Sequence, residues 1–292
     1  MTEIFVHTGN GAANAQALVS ETGQTPDALS AFLSGGEAPD WQFGAGQLGG
    51  SGQEIALWSI PLTEDGAGVD ALRDAAAGGR NNVYTAWAES IADNGAREDG
   101  EPIYIRPDWE IGGEWFTWTA RAQADTEAYK AAFGQMAASF RSVDPDFQMV
   151  WDAAADRGDQ TYLYPGDDAV DVIGGSHYWQ RQWQGDDPAA AFDKTVNGYS
   201  FGLAQLDAFA EEHGKPIAIT ELGASGADAG AWFDEVQEWA AGQDNLAFVN
   251  VWYDGPESGY DGRSNPAAVG DFLAEGLGGS TQNLGQDDVV IA

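Results

Sequence analysis

Carboxylates and indoles alternate in one short stretch of the chain. Residues 101–118 read EPIYIRPDWEIGGEWFTW, an apolar run closed by a proline and followed by three acids and three tryptophans: Asp108, Trp109, Glu110, Glu114, Trp115 and Trp118. Sugar rings stack on aromatic faces, and a carboxyl group in an apolar wall has a raised pKa that lets it act as an acid. The stretch therefore predicts a site that holds a sugar ring. The alternative is that the indoles are core and the acids form a solvated rim.

A second carboxylate ends a different apolar run. Glu221 follows the residues Ile217–Thr220, which read IAIT. Core packing alone seldom places a glutamate there, because an unpaired buried carboxylate is costly. The structural alternative is a buried ion pair between Glu221 and Arg106.

Strand-like and helix-like segments alternate along the chain. The predicted strands are Ile4–His7, a short one around Trp41 and Phe43, Ile55–Leu62, Ile103–Ile105, Phe147–Ala153, Val170–Tyr178, Ile217–Leu222 and Leu246–Trp252. The predicted helices are Thr25–Phe32, Asp70–Asn94 with an interruption near Gly78, Thr126–Val143, Tyr199–His213, Ala231–Ala241 and Pro266–Leu277. This order predicts a single (β/α)8 TIM barrel of the α/β class. We expect residues 1–277 to form the catalytic barrel and residues 278–292 an irregular tail that could lead to a further C-terminal module.

Barrel chemistry takes place where strands end and loops begin. The five last strands end near these residues: Glu110, Asp152, Tyr178, Glu221 and Trp252. Glu110 and Glu221 would then face each other across the mouth of the barrel. Two carboxyl groups about 5–5.5 Å apart can serve as acid/base and nucleophile in a double-displacement glycoside hydrolysis.

Four segments resemble glycoside hydrolase family 26, the β-mannanase family of retaining glycosidases. Residues 106–118 (RPDWEIGGEWFTW) resemble its Arg-Pro-x-His-Glu-Met-Asn-Gly-x-Trp-Phe-x-Trp motif. Residues 164–178 resemble its strand-six segment, residues 215–221 its nucleophile strand, and residues 249–252 its last strand. The resemblance runs from about Ile4 to Leu277.

The resemblance implies roles for individual residues. Glu110 would be the acid/base and Glu221 the nucleophile, with Arg106 keeping Glu221 ionised and Tyr178 donating a hydrogen bond to it. The expected sugar contacts come from these further residues: His7, Trp109, Trp115, Trp118, His177, Trp179 and Trp252.

Three positions depart from the family pattern. Trp109 replaces a histidine, Gly112 an asparagine, and Ser176 an aspartate. These positions surround the cleaved sugar, so the mechanism transfers better than the substrate does. β-1,4-Mannan is the first expectation, and β-1,3-xylan or another neutral marine glycan stays open.

The composition excludes several classes of partner. The chain has 292 residues and a net charge of -35, from 47 acids and 12 Lys plus Arg. This charge argues against nucleic acids, anionic membranes and polyanionic substrates, and it resembles a marine or halophilic surface. The sequence contains no cysteine. No long apolar run follows Met1 or occurs elsewhere, so we expect neither a signal peptide nor a membrane span. We expect an extracellular monomer that acts on a polysaccharide. Residues 283–292 resemble one degenerate calcium-binding repeat of secreted proteins, which predicts export by a C-terminal signal.

Other chemistries fit poorly. His7 and His177 could reach the barrel mouth, but no third zinc ligand is evident, so we expect no metal and no cofactor. A Gly-x-Ser-x-Gly elbow is absent. A carbohydrate-binding barrel without catalysis would keep the aromatics but leaves the two strand-end glutamates unexplained. An isomerase or aldolase would need a catalytic lysine or a phosphate loop, and only three lysines exist.

Overall fold

Eight parallel strands close into a barrel. The computed structural model describes residues 2–33, 52–64, 66–94, 97, 100–254 and 261–277. The strands pair in chain order, β1 to β8, and β8 pairs with β1. They are β1 Glu3–His7, β2 Ala28–Phe32, β3 Ile55–Ile60, β4 Ile103–Pro107, β5 Phe147–Ala154, β6 Val172–Trp179, β7 Ile217–Ala224 and β8 Leu246–Trp252. The predicted single (β/α)8 barrel is confirmed.

Helices surround the barrel and fill the connections between strands. They are α1 Ala12–Thr22, α2 Val69–Ala76, α3 Asn81–Asn94, α4 Thr117–Ala124, α5 Thr126–Val143, α6 Arg181–Gln184, α7 Pro188–Asn197, α8 Leu203–His213, α9 Ala229–Ala241 and α10 Pro266–Glu275. Their sequences supply the caps. Asp125 accepts a hydrogen bond from the backbone N–H of Ala128 at the start of α5, and Asp187 caps α7 in the same way, with Pro188 in its first turn.

The barrel interior has an apolar bottom layer. Every second residue of a strand points inward. The inward residues at the lower ends form one buried cluster: Phe5, Ala28, Ala56, Leu57, Tyr104, Val150, Val172, Ala218 and Phe248. The outward residues form the larger core between strands and helices, which includes Trp58, Trp87, Trp151 and Trp232. This arrangement leaves the upper half of the interior for polar side chains.

The prediction was wrong at the second strand. Thr25, Pro26 and Asp27 resemble a helix start, yet residues 28–32 are strand β2. The carboxylate of Asp27 accepts the backbone N–H of Ile4 at 2.7 Å, so it fixes β2 beside β1 instead of capping a helix. The missed helix is α1, an alanine-rich segment that buries only Ala15 and Leu18. Trp41 and Phe43, the expected second strand, lie outside the described residues.

The remaining elements follow the predicted order. The helix α5 has the predicted bounds, and the interruption near Gly78 separates α2 from α3. Helix α7 was not predicted, and α8 begins at Leu203 instead of Tyr199. None of the described helices has the length and apolar character needed to cross a membrane. The tail of residues 278–292 lies outside the described residues.

Candidate active site

Polar side chains occupy the layer directly above the apolar bottom of the barrel. Counting two residues up from the inward positions of β3, β4, β5, β7 and β8 gives Ser59, Arg106, Asp152, Thr220 and Asn250. Each of them is buried. A buried polar layer is tolerated only where its members bond to one another. The strand periodicity therefore concentrates this chain's buried polar groups at the mouth of the barrel.

Arg106 is the centre of that layer. Its Nη1 donates to Glu221 Oε1 at 2.6 Å, and its Nη2 donates to Asp152 Oδ2 at 2.6 Å. The Ser176 hydroxyl also accepts from Nη2, at 2.9 Å. The guanidinium is fully buried. The buried guanidinium and the two carboxylates attract each other, and this attraction offsets the cost of removing all three groups from water.

An irregularity in β7 brings two consecutive residues into the site. The register of β7 against β8 shifts between Ile219 and Leu222. Within this shift Thr220 donates to Asp152 Oδ1, and the next residue, Glu221, accepts from Arg106. A regular strand would point one of these two side chains out of the barrel. The bulge therefore places Glu221 beside Arg106 while Thr220 keeps its own bond.

Glu110 sits on a constrained loop after β4. Glu110 has φ 50° and Asp108 has φ 43°. Residues other than glycine seldom adopt this left-handed backbone conformation. The backbone N–H of Glu110 donates to Asp152 Oδ2 at 2.6 Å, and Ile111 forms an isolated bridge with Ala153 on β5. Such strain is retained where the surrounding contacts enforce it, most often at functional sites. These contacts direct the Glu110 side chain over the barrel mouth.

The two glutamates differ in their hydrogen-bond partners. Burial raises the pKa of Glu110 to about 8, and the negative charges of Glu221 and Asp152 add to the rise. The charge of Arg106 opposes the rise, and so does a hydrogen bond from the indole N–H of Trp115, at 2.8 Å from Oε2. Burial also raises the pKa of Glu221, but the charge of Arg106 and hydrogen bonds from Arg106 and Tyr178 work against that rise. Arg106 and Tyr178 thus favour the ionised form of Glu221, whereas burial and two neighbouring negative charges favour the protonated form of Glu110.

Both glutamates line one cavity of about 1210 Å³. This exceeds the range of about 300–1,000 Å³ that is usual for small-molecule pockets. The expected sugar contacts that line it are His7, Trp109, Trp115, His177, Tyr178 and Trp252. Trp115 is 49% exposed, and the guanidinium of Arg157 lies 4.7 Å from its ring centre. The structure therefore brings both predicted catalytic residues and most predicted contact residues together.

Two predicted contact residues lie outside the cavity lining. Trp118 is buried, stacks on Phe116 with ring centres 4.1 Å apart, and donates its indole N–H to the carbonyl of Trp109. Trp179 is buried on the outer face of β6 and donates to the carbonyl of Gly185. Both expectations of a sugar contact were wrong. Trp118 instead supports the wall that Trp109 forms.

His7 packs among aromatic rings at the opposite side of the mouth. Its ring centre lies 4.6 Å from that of Phe32 and 4.5 Å from that of Trp252. Burial lowers the pKa of His7 to about 4, although Asp254 opposes this. The imidazole is therefore neutral near pH 7. Its Nδ1–H donates to the carbonyl of Ser30 at 3.2 Å, so Nε2 can accept a hydrogen bond from a hydroxyl group. Trp252 beside it presents the apolar face that a sugar ring needs.

Two of the three departures from the family pattern, Gly112 and Ser176, have polar partners that explain them. Gly112 has φ 96°, and a Cβ there would meet the buried side chain of Gln160 at 2.5 Å. Gln160 in turn bonds the backbone N–H and carbonyl of Ala154. Ser176 supplies a neutral acceptor to Arg106 where a carboxylate was expected, and Asp152 on the neighbouring strand supplies the charge.

Asp152 is the functional residue that the sequence reasoning left without a role. The sequence places Asp152 at the end of the fifth strand but does not indicate which groups its carboxylate would bind. The single buried carboxylate of Asp152 bonds Arg106, the backbone of Glu110 and the hydroxyl of Thr220.

The described residues contain no cluster of three or more His, Asp or Glu side chains that could hold a metal ion.

A parallel barrel with two partly or fully buried glutamates and an exposed indole at its mouth is the arrangement of a barrel glycoside hydrolase. The sequence model of glycosyl hydrolase family 26 matches residues 40–250, which is more than half of the chain. The chain belongs to glycosyl hydrolase family 26. The resemblance seen in the motifs is thereby confirmed.

Two curated proteins share part of the sequence. A mannan endo-1,4-beta-mannosidase of Bifidobacterium adolescentis is 32% identical over 145 residues, 47% of this chain and 14% of that protein. A mannan endo-1,4-beta-mannosidase of Bacillus subtilis is 32% identical over 135 residues, 42% of this chain and 31% of that protein. The matches thus span less than a third of either relative's length.

Solved structures support the same fold. A GH26 beta-mannanase from Bacteroides ovatus superposes with a TM-score of 0.59 at 19% identity, over 93% of this chain and 88% of that chain. The Bacillus subtilis mannanase man26 superposes with a TM-score of 0.63 at 19% identity, over 92% and 84%. At this identity the likeness shows the barrel fold alone.

Proposed function

We propose that this chain is a retaining endo-β-glycanase that hydrolyses a neutral β-linked polysaccharide, with β-1,4-mannan as the first candidate. One observation carries the proposal. Glu221 is held by a buried cation and a tyrosine hydroxyl, while Glu110 in the same cavity has a pKa of about 8. One ionised and one protonated carboxyl group are what double displacement requires.

The two glutamates carry out the proposed reaction in two steps. The Glu221 carboxylate attacks the anomeric carbon while Glu110 donates its proton to the departing glycosidic oxygen, which leaves a glycosyl ester on Glu221. Glu110 then removes a proton from water, the hydroxide oxygen bonds to the anomeric carbon, and the ester bond to Glu221 breaks. Arg106 and Tyr178 stabilise the carboxylate before and after each turnover.

The cations near the site support a neutral substrate. Three arginines could have formed a positive patch for a polyanion, but each has an acidic partner. Arg106 bonds Asp152 and Glu221, Arg157 lies 3.3 Å from Asp156, and Arg181 lies 3.3 Å from Asp228. A mannan substrate is supported by the family and by the names of the two curated relatives. Trp109 changes the wall beside the cleaved sugar, so β-1,3-xylan is kept as the alternative.

A polysaccharide panel tests the function. Mannan, glucomannan, β-1,3-xylan and mixed-linkage glucan are incubated with the enzyme, and new reducing ends are measured. We expect mannan or glucomannan to be cleaved fastest. Proton NMR of the first products then tests the stereochemistry, with a β-anomer as the expected result. An initial α-anomer from a β-linked substrate rules out the retaining mechanism, and no cleavage of any glycan refutes the proposed function.

Changing Asp152 to asparagine should move the pH profile of kcat/KM towards acid. The charge of Asp152 helps to raise the pKa of both glutamates, so its removal lowers both values. Activity needs Glu110 protonated, and the alkaline limb near pH 8 should therefore fall at lower pH in the variant. Misplacement of Glu110 should also reduce kcat by about 10²-fold at most. Ser176→Ala, which removes a neutral partner of Arg106, is the control. An alkaline limb that stays in place in Asp152→Asn contradicts the assigned role.

Salt should stabilise the folded protein. Its negative charge should make the enzyme prefer neutral glycans to polyanionic ones. A net charge of -35 makes the surface repel itself, and salt screens this repulsion over about 10 Å at 0.1 M and over less at higher concentration. We expect the melting temperature to rise from low ionic strength to marine salt levels. Alginate and pectate should be cleaved more slowly than any accepted neutral glycan. A melting temperature indifferent to salt refutes the screening argument.

We further propose that the enzyme acts outside the cell and as a monomer. A polymer substrate is too large to cross a membrane, which supports an extracellular site of action. Glu110, Arg106, Tyr178 and Glu221 meet at the mouth of one barrel, so the proposed mechanism needs no residue from a second subunit. Cell fractionation and size-exclusion chromatography with light scattering test these two statements.

A further inference from the structure

The cavity continues beyond the catalytic residues to the outer face of β6. Ser176 and Tyr178 point into the barrel, where they contact Arg106 and Glu221. His177, the residue between them, therefore points outward, towards the helices. A Cβ on Gly175 would lie 3.0 Å from the ring of His177 and near Leu206 of α8, which confirms that direction. His177 nevertheless lines the same cavity as the two glutamates.

We call this part of the cavity the side chamber. It is lined by His177, Trp183, Gln184, Lys194, Thr195 and Tyr199. It belongs to β6, α6, α7 and the turn after α7, none of which contributes a residue to the proposed proton and nucleophile chemistry except Tyr178 of β6. Trp115, which donates to Glu110, and Arg157, whose guanidinium lies 4.7 Å from the Trp115 ring centre, line the same cavity.

His177 has two polar ring atoms without a partner among the described residues. The residue is buried, and no group in that part of the chain forms a hydrogen bond to its Nδ1 or Nε2. Other polar side chains of the chamber do have partners. Lys194 donates to the carbonyl of Trp183 at 2.8 Å, and Gln184 donates to the hydroxyl of Thr195 at 3.1 Å. A buried polar group without a partner is rare and costly. The imidazole is therefore available to a molecule that enters the chamber.

The chamber offers hydrogen-bonding groups that suit a sugar hydroxyl. Burial lowers the pKa of His177 to about 3, so the ring is neutral and carries one N–H donor and one acceptor. A sugar hydroxyl both donates and accepts, which matches this pair. Trp183 at the rim is 69% exposed, and exposed indoles are the surface on which sugar rings stack. Lys194 forms a bond to the Trp183 carbonyl that fixes the rim beside the chamber.

We propose that the side chamber is a subsite for one neutral pyranose unit of the substrate, on the leaving-group side of the cleaved bond. The proposal rests on the proposed function, because Glu110 and Trp115 define the leaving-group side. The hydroxyl groups of the unit bond to His177, and its ring stacks on Trp183. The unit belongs either to the main chain of the glycan or to a single-sugar branch on it.

Binding to an inactive parent enzyme tests the subsite. The parent carries Glu221→Ala, and isothermal titration calorimetry measures the Kd of fragments of the panel glycan that the wild type cleaves. Trp183→Ala and His177→Phe are added separately, and Tyr162→Ala is the matched control, an aromatic residue that is 48% exposed but does not line the cavity. We expect each chamber variant to raise the Kd of long fragments by about 10-fold and that of disaccharides by much less. Tyr162→Ala should leave both values unchanged.

The outcomes separate this inference from the proposed function. A loss seen with linear fragments assigns the unit to the main chain, and a loss confined to branched fragments assigns it to a branch. Long fragments that bind Trp183→Ala and the parent equally show that the chamber holds water only, which overturns the inference while the proposed function stands. A parent that binds no fragment of the cleaved glycan overturns the inference, and a wild type that cleaves no panel glycan overturns the proposed function. Trp183 is exposed, so its variant keeps the test valid if His177→Phe fails to fold.

Discussion

The Glu221→Ala enzyme should lose at least about 10⁴-fold in kcat/KM on the accepted glycan, because no glycosyl ester can form without the carboxylate. Glu221→Gln should lose nearly as much, since the amide keeps the size of the side chain but is a far weaker nucleophile. The large effect is expected because two partners, the buried Arg106 and the half-buried Tyr178, are directed at this one carboxylate. Reducing-end assays over long incubations at high enzyme concentration measure the residual rate.

Loss of activity through misfolding has to be separated from loss of the nucleophile. Removing Glu221 leaves Arg106 with Asp152 as its remaining carboxylate partner, so some loss of stability is expected. Thermal melts and the binding of glycan fragments to the variant provide this control. A folded Glu221→Gln enzyme with more than about a tenth of the wild-type rate would contradict the assignment, because a true nucleophile contributes several orders of magnitude.

The Glu110→Ala enzyme should lose about 10²–10⁴-fold in kcat on the polymer, the usual contribution of general acid–base catalysis. Aryl glycosides with good leaving groups need little proton donation and should be cleaved with a much smaller loss in the first step. Azide should partly restore the rate, since it attacks the glycosyl ester without needing a base. The alkaline limb of the pH profile, set by the raised pKa of Glu110, should also disappear.

The same loop offers a matched control. Glu114 lies four residues after Glu110, is exposed and does not line the cavity. Glu114→Ala should keep the wild-type rate, pH profile and response to azide. Wild-type turnover of the polymer by Glu110→Ala would sink the acid/base assignment, and equal losses on polymer and activated substrates would argue for a role other than proton transfer.

The sequence determined which strands carry the chemistry. Alternation of apolar runs with helical segments is a local property, and it was enough to predict the barrel and to place Glu110 and Glu221 at strand ends. The family motif around Arg106 added the ion pair with Glu221. The errors occurred where local signals were weak or ambiguous. Asp27 resembles part of a helix start but bonds the backbone of Ile4, a partner 23 positions away.

Contacts to the indoles could not be predicted one by one. A tryptophan beside a glycine-rich loop is equally compatible with a sugar platform and with a supporting wall. Trp115 became exposed and bonded to Glu110, whereas Trp118 became buried against Phe116. The difference depends on which residues from other strands occupy the space around each ring, and no local pattern encodes that.

Only the tertiary structure decided how the two glutamates become different. Sequence periodicity assigns Thr220 and Glu221 to opposite faces of β7, but the register shift lets both reach the barrel interior. Asp152 then bonds the arginine behind the nucleophile and the backbone of the acid/base at once. The sequence by itself determined the strand ends and the residue types, because these follow from local periodicity and composition. The protonation states depend on burial and on charges brought together from three separate strands and the loop after β4, so they exist only once the barrel has closed.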